Sequence, residues 1–180
     1  MQASTLFSLL KMGEISLSNR ICMSALTRMR ADPTTGIPND LHTKYYSQRA
    51  NAGLILTECT HITSTGNSFP GSTGIYSKEQ VEGWKKVTKA VHDKGGKIIM
   101  QIWHDGRACH PDHGNGSQPI SSFATRIRDQ TFTKNGKVDQ VVPRQMNEAD
   151  MKEITADFKK GAENAMEAGF DGLELHGANG

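Results

Sequence analysis

The fold is decided by the stretch Gly169-Phe170-Asp171-Gly172-Leu173-Glu174-Leu175-His176-Gly177-Ala178-Asn179-Gly180. Gly169 ends a helical pattern, and residues 170–175 then form a short apolar run that is typical of a buried strand. This strand leads directly into His176 and Asn179, two polar residues in a glycine-rich loop. Because α/β barrels place their chemistry just past the C-terminal ends of parallel strands, the stretch predicts a functional site at the end of such a strand.

The chain before this stretch alternates between strand and helix patterns. Strands are predicted at residues 21–26, 54–60, 97–104 and 170–175. Helices are predicted from 41 to 50 after a cap at Asn39 or Asp40, from Ser77 to Gly95-Gly96, and from Asn147 with Asp150 to Gly169. A hairpin is predicted at residues 6–20, and the Gly-, Pro- and Ser-rich excursion at 105–144 contains a second one around Asn135-Gly136.

This alternation predicts an α/β fold with a parallel sheet and right-handed crossovers. A complete (β/α)8 TIM barrel takes about 250 residues, and the chain has 180. The two interpretations are an open four-stranded sheet and the first half of a TIM-type barrel, in each case with an N-terminal hairpin and a long excursion after the third strand. With no linker visible, we expect residues 1–180 to form one domain.

Composition argues against several classes of partner. A net charge of +2 without a basic stripe does not favour nucleic-acid binding, and no apolar run is long enough to span a membrane. The N-terminus lacks the features of a signal peptide. The three cysteines, Cys22, Cys59 and Cys109, are odd in number and far apart, so we expect a reducing, cytoplasmic location and small buried thiols.

Polar residues gather at the predicted strand ends. They are Thr27 and Arg28, Glu58 and Thr60, Gln101 with Trp103 and His104, and His176 with Asn179. In a parallel barrel these ends converge on one face. Hydroxyl and amide groups donate and accept hydrogen bonds without adding charge, which would suit a flat aromatic cofactor. Ordinary strand-end hydrogen bonding is the alternative explanation for Thr27 and Gln101.

Two interpretations of the histidines follow from residue type alone. His176 and Asn179 together could donate to one substrate oxygen and so polarise a carbonyl or nitro group, or His176 could be merely a hydrogen-bonded strand-end residue. His104, His110 and His113 could form a metal site, but their spacing is loose and no acidic partner is fixed, so we expect no metal.

Several stretches give the chain a resemblance to a known family. They are residues 17–21 (Leu-Ser-Asn-Arg-Ile), 26–30 (Leu-Thr-Arg-Met-Arg), 45–50 (Tyr-Tyr-Ser-Gln-Arg-Ala), 52–58 (Ala-Gly-Leu-Ile-Leu-Thr-Glu), 74–76 (Gly-Ile-Tyr), 101–107 (Gln-Ile-Trp-His-Asp-Gly-Arg) and 176–180 (His-Gly-Ala-Asn-Gly). In this order they resemble the N-terminal half of the Old Yellow Enzyme family of FMN-dependent ene reductases. The resemblance implies a TIM-barrel oxidoreductase that uses NAD(P)H and FMN to reduce enones or nitro compounds.

The resemblance also implies roles for single residues. The cofactor contacts it implies are Ala25, Leu26, Thr27, Cys59, Gln101 and His176. Thr27 would tune the flavin potential, and Gln101 would hold the pyrimidine edge. The catalytic pair would be His176 and Asn179, which bind the oxygen of a small-molecule substrate. The substrate pocket would be lined by Trp103 and Phe69.

The chain departs from the family pattern at three points. Ala25 replaces a proline beside the flavin, Cys59 stands where the family has Gly or Ala, and the family's tyrosine proton donor falls after Gly180. The FMN-phosphate contacts would come from strands seven and eight. The alternative functions are therefore a truncated, non-catalytic half-barrel or interaction protein that lacks tight FMN binding, and a small α/β binding module unrelated to flavin. An open half-barrel would also expose an edge for self-association.

Overall fold

The computed structural model describes residues 5–66, 69–113, 116–133 and 135–178. Its strands, numbered in chain order, are β1 Leu10–Met12, β2 Ile15–Leu17, β3 Cys22–Met23, β4 Leu54–His61, β5 Thr73–Gly74, β6 Ile98–Trp103, β7 Ile120–Ser121, β8 Gln130–Thr133, β9 Gly136–Asp139, β10 Arg144–Gln145 and β11 Gly172–Leu175. Its α-helices are α1 Asp40–Ser47, α2 Lys78–His92 and α3 Glu148–Glu167.

The main sheet is parallel, and its path runs β11-β6-β4-β3. Helices α1 and α2 connect successive strands, and α3 precedes β11 after the long excursion. Spatial order follows chain order, which is the arrangement of the first four strands of a (β/α) barrel. The predicted parallel sheet and its alternation with helices are confirmed. The sheet is open rather than closed into a barrel.

Each helix begins where a side chain accepts the first free backbone N–H groups. Asn39, Ser77 and Asn147 are the N-caps, and all three form reciprocal capping boxes with the residue three positions on. The boxes predicted at Ser77 and Asn147 are confirmed, and the first helix is capped by Asn39 rather than Asp40. That helix ends at Ser47, three residues before the predicted end.

The main core lies between the helices and the sheet. Buried α2 residues pack against buried residues of β4, β6 and α3, namely Trp84, Val87, Val91, Ile55, Ile98, Met100, Ile102 and Ala165. Burying apolar area of this kind is the main stabilising term of the fold. The core fixes the sheet from its helical side and leaves the strand ends free to carry polar groups.

Several boundaries differ from the sequence prediction. The first parallel strand covers only Cys22–Met23 instead of residues 21–26, because the backbone then leaves the ladder and the Arg28 N–H bonds the Glu58 side chain. The first hairpin is shorter than predicted, since residues 5–7 form a 3-10 turn. The hairpin of β8 and β9 is confirmed, and the parallel pair β7–β10 was not predicted.

Within the described ranges, no helix has the length and apolar character needed to cross a membrane.

Candidate active site at the strand ends

A cavity of about 660 Å³ opens at the C-terminal ends of the parallel strands. It is called the strand-end pocket below, and its lining residues are Ala25, Thr27, Met29, Cys59, Phe69, Gln101, Trp103, Ala108, Ile127, Asp129, Gln130, Thr131, Gln140 and His176. Its volume falls in the range of roughly 300–1,000 Å³ that small-molecule sites occupy.

The pocket gathers most of the residues that the sequence predicted for a site. Seven of them line it: Ala25, Thr27, Cys59, Phe69, Gln101, Trp103 and His176. Leu26 does not line it, and its side chain is 52% exposed. Asn179 lies outside the described residues. The functional roles of these residues stay predictions.

A β-bulge in β4 brings Cys59 into the pocket. Leu56 pairs with Ile99, but Cys59 pairs with Gln101, so β4 carries one extra residue between the two pairs. The Thr57 hydroxyl accepts the Gln101 N–H at 3.1 Å and replaces the lost ladder bond. On the other side, the Tyr46 hydroxyl accepts the Glu58 N–H at 2.9 Å. The bulge is therefore fully hydrogen-bonded and directs Cys59 inward.

A chain of side-chain hydrogen bonds crosses the floor of the pocket. Gln101 is the Cα partner of both Cys59 on β4 and Glu174 on β11. Its amide oxygen accepts from the Cys59 thiol, and its amide nitrogen donates to the Glu174 carboxylate. The Thr27 hydroxyl hydrogen-bonds the Cys59 sulfur. Three neighbouring strands, β4, β6 and β11, and the segment that follows β3 thus each contribute one member.

The Cys59 thiol stays protonated in this setting. Burial raises its pKa to about 11, and the nearby carboxylates of Asp105 and Glu174 act in the same direction. The floor consequently presents a neutral thiol, a neutral hydroxyl and a neutral amide, with the Glu174 charge behind the amide. A thiolate nucleophile is not available near neutral pH.

Aromatic rings form one wall of the pocket. Trp103 stacks on Phe69 with centroids 6.4 Å apart and on His61 at 5.4 Å. The ring of His176 meets Trp103 edge-on at 5.5 Å. Burial lowers the pKa of His61, which keeps this ring neutral behind the tryptophan. The wall is flat and apolar, with His176 as the polar group at its end.

Other predicted strand-end residues lie elsewhere. Glu58 is fully buried against α1, where the Tyr46 hydroxyl donates to it, and Arg28 lines a different cavity. Thr60 bonds the Thr73 hydroxyl between β4 and β5. His104 also lies outside the pocket, with its Nδ1 accepting the Gly106 N–H. The prediction that all these residues converge on one face was wrong for these four.

Sequence reasoning missed part of the lining. Met29 has a positive φ of 53°, which no pattern around it indicates. The residues around β8, among them Asp129 and Gln130, also line the pocket. The Asn135-Gly136 signal predicted their hairpin, but a local turn signal does not say where a hairpin lies in space.

The metal interpretation gains no support. Across the ranges described above, no three His, Cys, Asp or Glu side chains lie close enough to hold a metal ion. The rings of His110 and His113 are 6.4 Å apart, and His104 is turned toward its own loop.

The donor set fits a flavin ring. Amide, hydroxyl and thiol groups in neutral form lie side by side on the floor, and such groups match the alternating donors and acceptors of a pyrimidine edge. Gln101 keeps one amide hydrogen and one oxygen lone pair beyond its two bonds. The flat aromatic wall faces the space above that floor.

Comparison with known proteins then decides the family. The model of the NADH:flavin oxidoreductase / NADH oxidase family matches residues 5–180. The chain belongs to this family. The predicted resemblance to Old Yellow Enzymes is also confirmed, because the structure of the Old Yellow Enzyme homologue from Zymomonas mobilis superposes with a TM-score of 0.94 at 39% identity, over 98% of this chain and 49% of that one.

Other family members give the same result. The chain is 40% identical to the flavin oxidoreductase hxnT of Emericella nidulans over 97% of its length and 46% of the relative's. It is 42% identical to 12-oxophytodienoate reductase 1 of Oryza sativa subsp. japonica, over 94% of this chain and 44% of that relative. Morphinone reductase in complex with tetrahydroNAD superposes with a TM-score of 0.91 at 37% identity, over 98% of this chain and 50% of that one. The chain thus spans about half the length of these relatives.

Proposed function

We propose that this chain carries the flavin-binding floor and substrate-binding wall of an FMN-dependent oxidoreductase that uses NAD(P)H to reduce activated alkenes, or nitro compounds. The observation that carries the proposal is the row of neutral side chains from Thr27 through Cys59 to Gln101, which lies beside the aromatic wall of the same pocket. Family membership supports FMN and NAD(P)H as the cofactor pair.

Three residues would hold the flavin ring. Gln101 would bond the pyrimidine edge with its remaining amide hydrogen and oxygen lone pair, and its orientation is fixed by Glu174. Thr27 would turn its hydroxyl hydrogen from the Cys59 sulfur to the ring, and Cys59 would offer a neutral sulfur against its face. The chemistry that FMN supplies when bound is hydride transfer from NAD(P)H to the β-carbon of an activated alkene.

The wall would bind and polarise the substrate. His176, with Asn179, would donate to the electron-withdrawing oxygen and stabilise the negative charge that grows on it during reduction. Trp103 and Phe69 would hold the carbon skeleton flat and exclude water. The names of relatives such as 12-oxophytodienoate reductase favour a conjugated ketone over other substrate classes.

We extend the proposal to location and assembly. The Cys22, Cys59 and Cys109 thiols are all free, which supports a reducing, cytoplasmic compartment. Residues 1–180 would fold as one domain. The open sheet ends at β11, where Leu175 is 70% exposed, and this edge supports self-association of the chain.

The test is the visible spectrum of the purified chain after FMN addition and desalting. A retained flavin band that NADPH bleaches and an enone restores is the expected result. Gln101→Leu should weaken retention, and His176→Ala should slow only the reoxidation by enone. A colourless protein would overturn the proposal for this chain and favour the non-catalytic half-barrel instead.

A further inference from the structure

A second cavity lies on the opposite side of the segment that borders the strand-end pocket. Its volume is about 220 Å³, and it is called the Tyr45 pocket below; its lining residues are Arg28, Arg30, Leu41, His42, Lys44, Tyr45, Gln48 and Glu58. Ala25, Thr27 and Met29 face the strand-end pocket, whereas Arg28 and Arg30 face this one. The two cavities therefore share a wall but no lining residue.

Basic side chains dominate the Tyr45 pocket. The guanidinium of Arg28 lies 3.8 Å from the centroid of the Tyr45 ring, and that of Arg49 lies 3.9 Å from the same centroid. Two such groups fit at these distances only on opposite faces of the ring. The Arg28 guanidinium is thereby held against the Tyr45 ring, and both residues line the cavity.

The positive charges are not neutralised by ion pairs. Arg30 uses its Nη1 for the carbonyl oxygens of Arg28 and Met29, at 3.2 Å each. Within the described part of the chain, neither Arg28, Arg30 nor Lys44 forms a salt bridge. Three cationic groups that share a cavity with a single carboxylate leave an excess of positive charge, and an anion between them would relieve their mutual repulsion.

The base of the pocket holds a buried donor. His42 is only 2% exposed, and its Nδ1 accepts the Asn39 N–H of the capping box at 3.2 Å. The same Nδ1 lies 3.2 Å from Asn39 Oδ1, and in the tautomer in which Nδ1 accepts the Asn39 N–H the ring proton is on Nε2. Among the described residues Nε2 has no hydrogen-bond partner, and the nearest carboxylate oxygen, of Glu58, is 3.4 Å away. A buried N–H group without a hydrogen-bond acceptor costs free energy, so a bound ligand that offers an acceptor oxygen would be stabilised here.

Glu58 does not make the net charge of the Tyr45 pocket negative. Its Oε2 accepts the Arg28 N–H at 3.1 Å, and its Oε1 accepts the Tyr46 hydroxyl at 3.3 Å. The lining thus contains three cationic side chains against one carboxylate, and that carboxylate is fully buried.

We propose that the Tyr45 pocket is a binding site for a small oxyanion of the phosphate type, separate from the strand-end pocket. Arg28 would bind two oxygens with its planar fork, and Lys44 and Arg30 would close the rim as point charges. Nε2 of His42 would donate to the deepest oxygen. The ligand chemistry is a phosphate group, whose source is either free inorganic phosphate or the phosphate of a nucleotide.

Tryptophan fluorescence tests the proposal without FMN, so its failure is distinct from failure of the proposed function. The chain has two tryptophans, and Trp103→Phe leaves Trp84, whose ring lies 6.2 Å from His42. Sodium phosphate is titrated into this variant at constant ionic strength set with sodium chloride. The expected result is a saturable change in Trp84 emission. No saturable change would overturn the proposal.

Charge variants locate the anion. In the same background, Lys44→Gln and Arg30→Gln should each weaken phosphate binding by about tenfold, the effect of one lost charge-assisted contact. The matched control Lys159→Gln, an exposed lysine of α3, should leave the affinity unchanged. Equal affinity in all three variants would overturn the assignment even if some phosphate binds.

A second titration identifies the source of the phosphate. Adenosine 2′-monophosphate is compared with inorganic phosphate under the same conditions. Tighter binding of the nucleotide, abolished by Lys44→Gln, assigns the site to a nucleotide phosphate. Equal binding assigns it to free phosphate. Nucleotide binding that Lys44→Gln does not change would place the ligand elsewhere and overturn the proposal.

Discussion

Gln101 on β6 and Glu174 on β11 are direct partners in the parallel ladder, and the amide nitrogen of Gln101 donates to the Glu174 carboxylate. This bond decides which way the amide points. Its oxygen is turned to the other neighbour, the Cys59 thiol. The two strands next to β6 therefore fix the orientation of the Gln101 amide, which is the group proposed to bind the flavin edge, before a cofactor binds.

Gln101→Leu tests this arrangement. The change leaves the partly buried Glu174 carboxylate without its donor and the thiol without its acceptor, so we expect the free energy of unfolding to fall by about 1–3 kcal/mol. Urea denaturation followed by circular dichroism measures it. Gln145→Leu, at an exposed position on β10, is the control and should change stability by less than about 0.5 kcal/mol. Equal stability of the two variants would show that the bond contributes little.

The thiols should react in a fixed order. Cys22 is exposed, whereas Cys59 and Cys109 are buried, and burial raises the pKa of Cys59 to about 11. Because the thiolate is the reactive form, iodoacetamide at pH 8 should modify Cys22 first and Cys59 only after unfolding. The pKa of Cys22 is itself raised, by partial burial and then by Glu174, so even this reaction should be slower than that of a free thiol. Peptide mass spectrometry over time measures the order. If Cys59 were labelled as fast as Cys22, the Cys59 thiol would not be buried and protonated in the folded chain.

The larger elements could be predicted from the sequence because each carries its own local signal. Ser77 with Gln80, and Asn147 with Asp150, are capping boxes that any chain would use in the same way. The apolar runs at residues 54–60 and 97–104 are typical of strands that are buried on both faces of a parallel sheet. The alternation of these signals then leaves few topologies.

The details of the site could not be predicted in the same way. The bulge before Cys59 depends on the Tyr46 hydroxyl, which comes from another element, and strand periodicity alone does not reveal it. Alternation therefore could not say whether Glu58 or Cys59 faces the pocket. Cys59 was placed there by family resemblance, while Glu58 was expected to share one face with the other polar strand-end residues and instead packs against α1. Arg28 and Thr27, adjacent in sequence, face different cavities because successive side chains of an extended segment point to opposite sides.

Tyr46→Phe tests how much the bulge depends on one hydroxyl. This group accepts the Glu58 N–H at 2.9 Å and donates to the Glu58 carboxylate at 3.3 Å, both in the interior. Removing it leaves a buried backbone donor unsatisfied, so we expect a loss of about 1–3 kcal/mol in the free energy of unfolding. Tyr76→Phe, where the tyrosine is 37% exposed, is the matched control and should be close to neutral. A neutral Tyr46→Phe would mean that water replaces the hydroxyl in the bulge.

Asp171 should make folding stability fall in acid. Burial alone would raise its pKa, but hydrogen bonds from Lys97, from the Ile98 N–H at 2.9 Å and from His92 at 2.8 Å lower it overall. A carboxyl whose folded pKa is depressed contributes stability above its unfolded pKa of about 3.9, and this contribution is lost as pH falls through the folded value. Asp171→Asn should therefore cost about 1–2 kcal/mol at pH 7, and the gap to the parent chain should narrow below about pH 4. Urea unfolding at a series of pH values from 7 to 3 measures this difference in unfolding free energy. The control is Glu153→Gln at an exposed position of α3, which should unfold with the same free energy as the parent chain. A gap that stays constant down to pH 3 would mean that Asp171 acts through hydrogen-bond geometry alone and not through its charge.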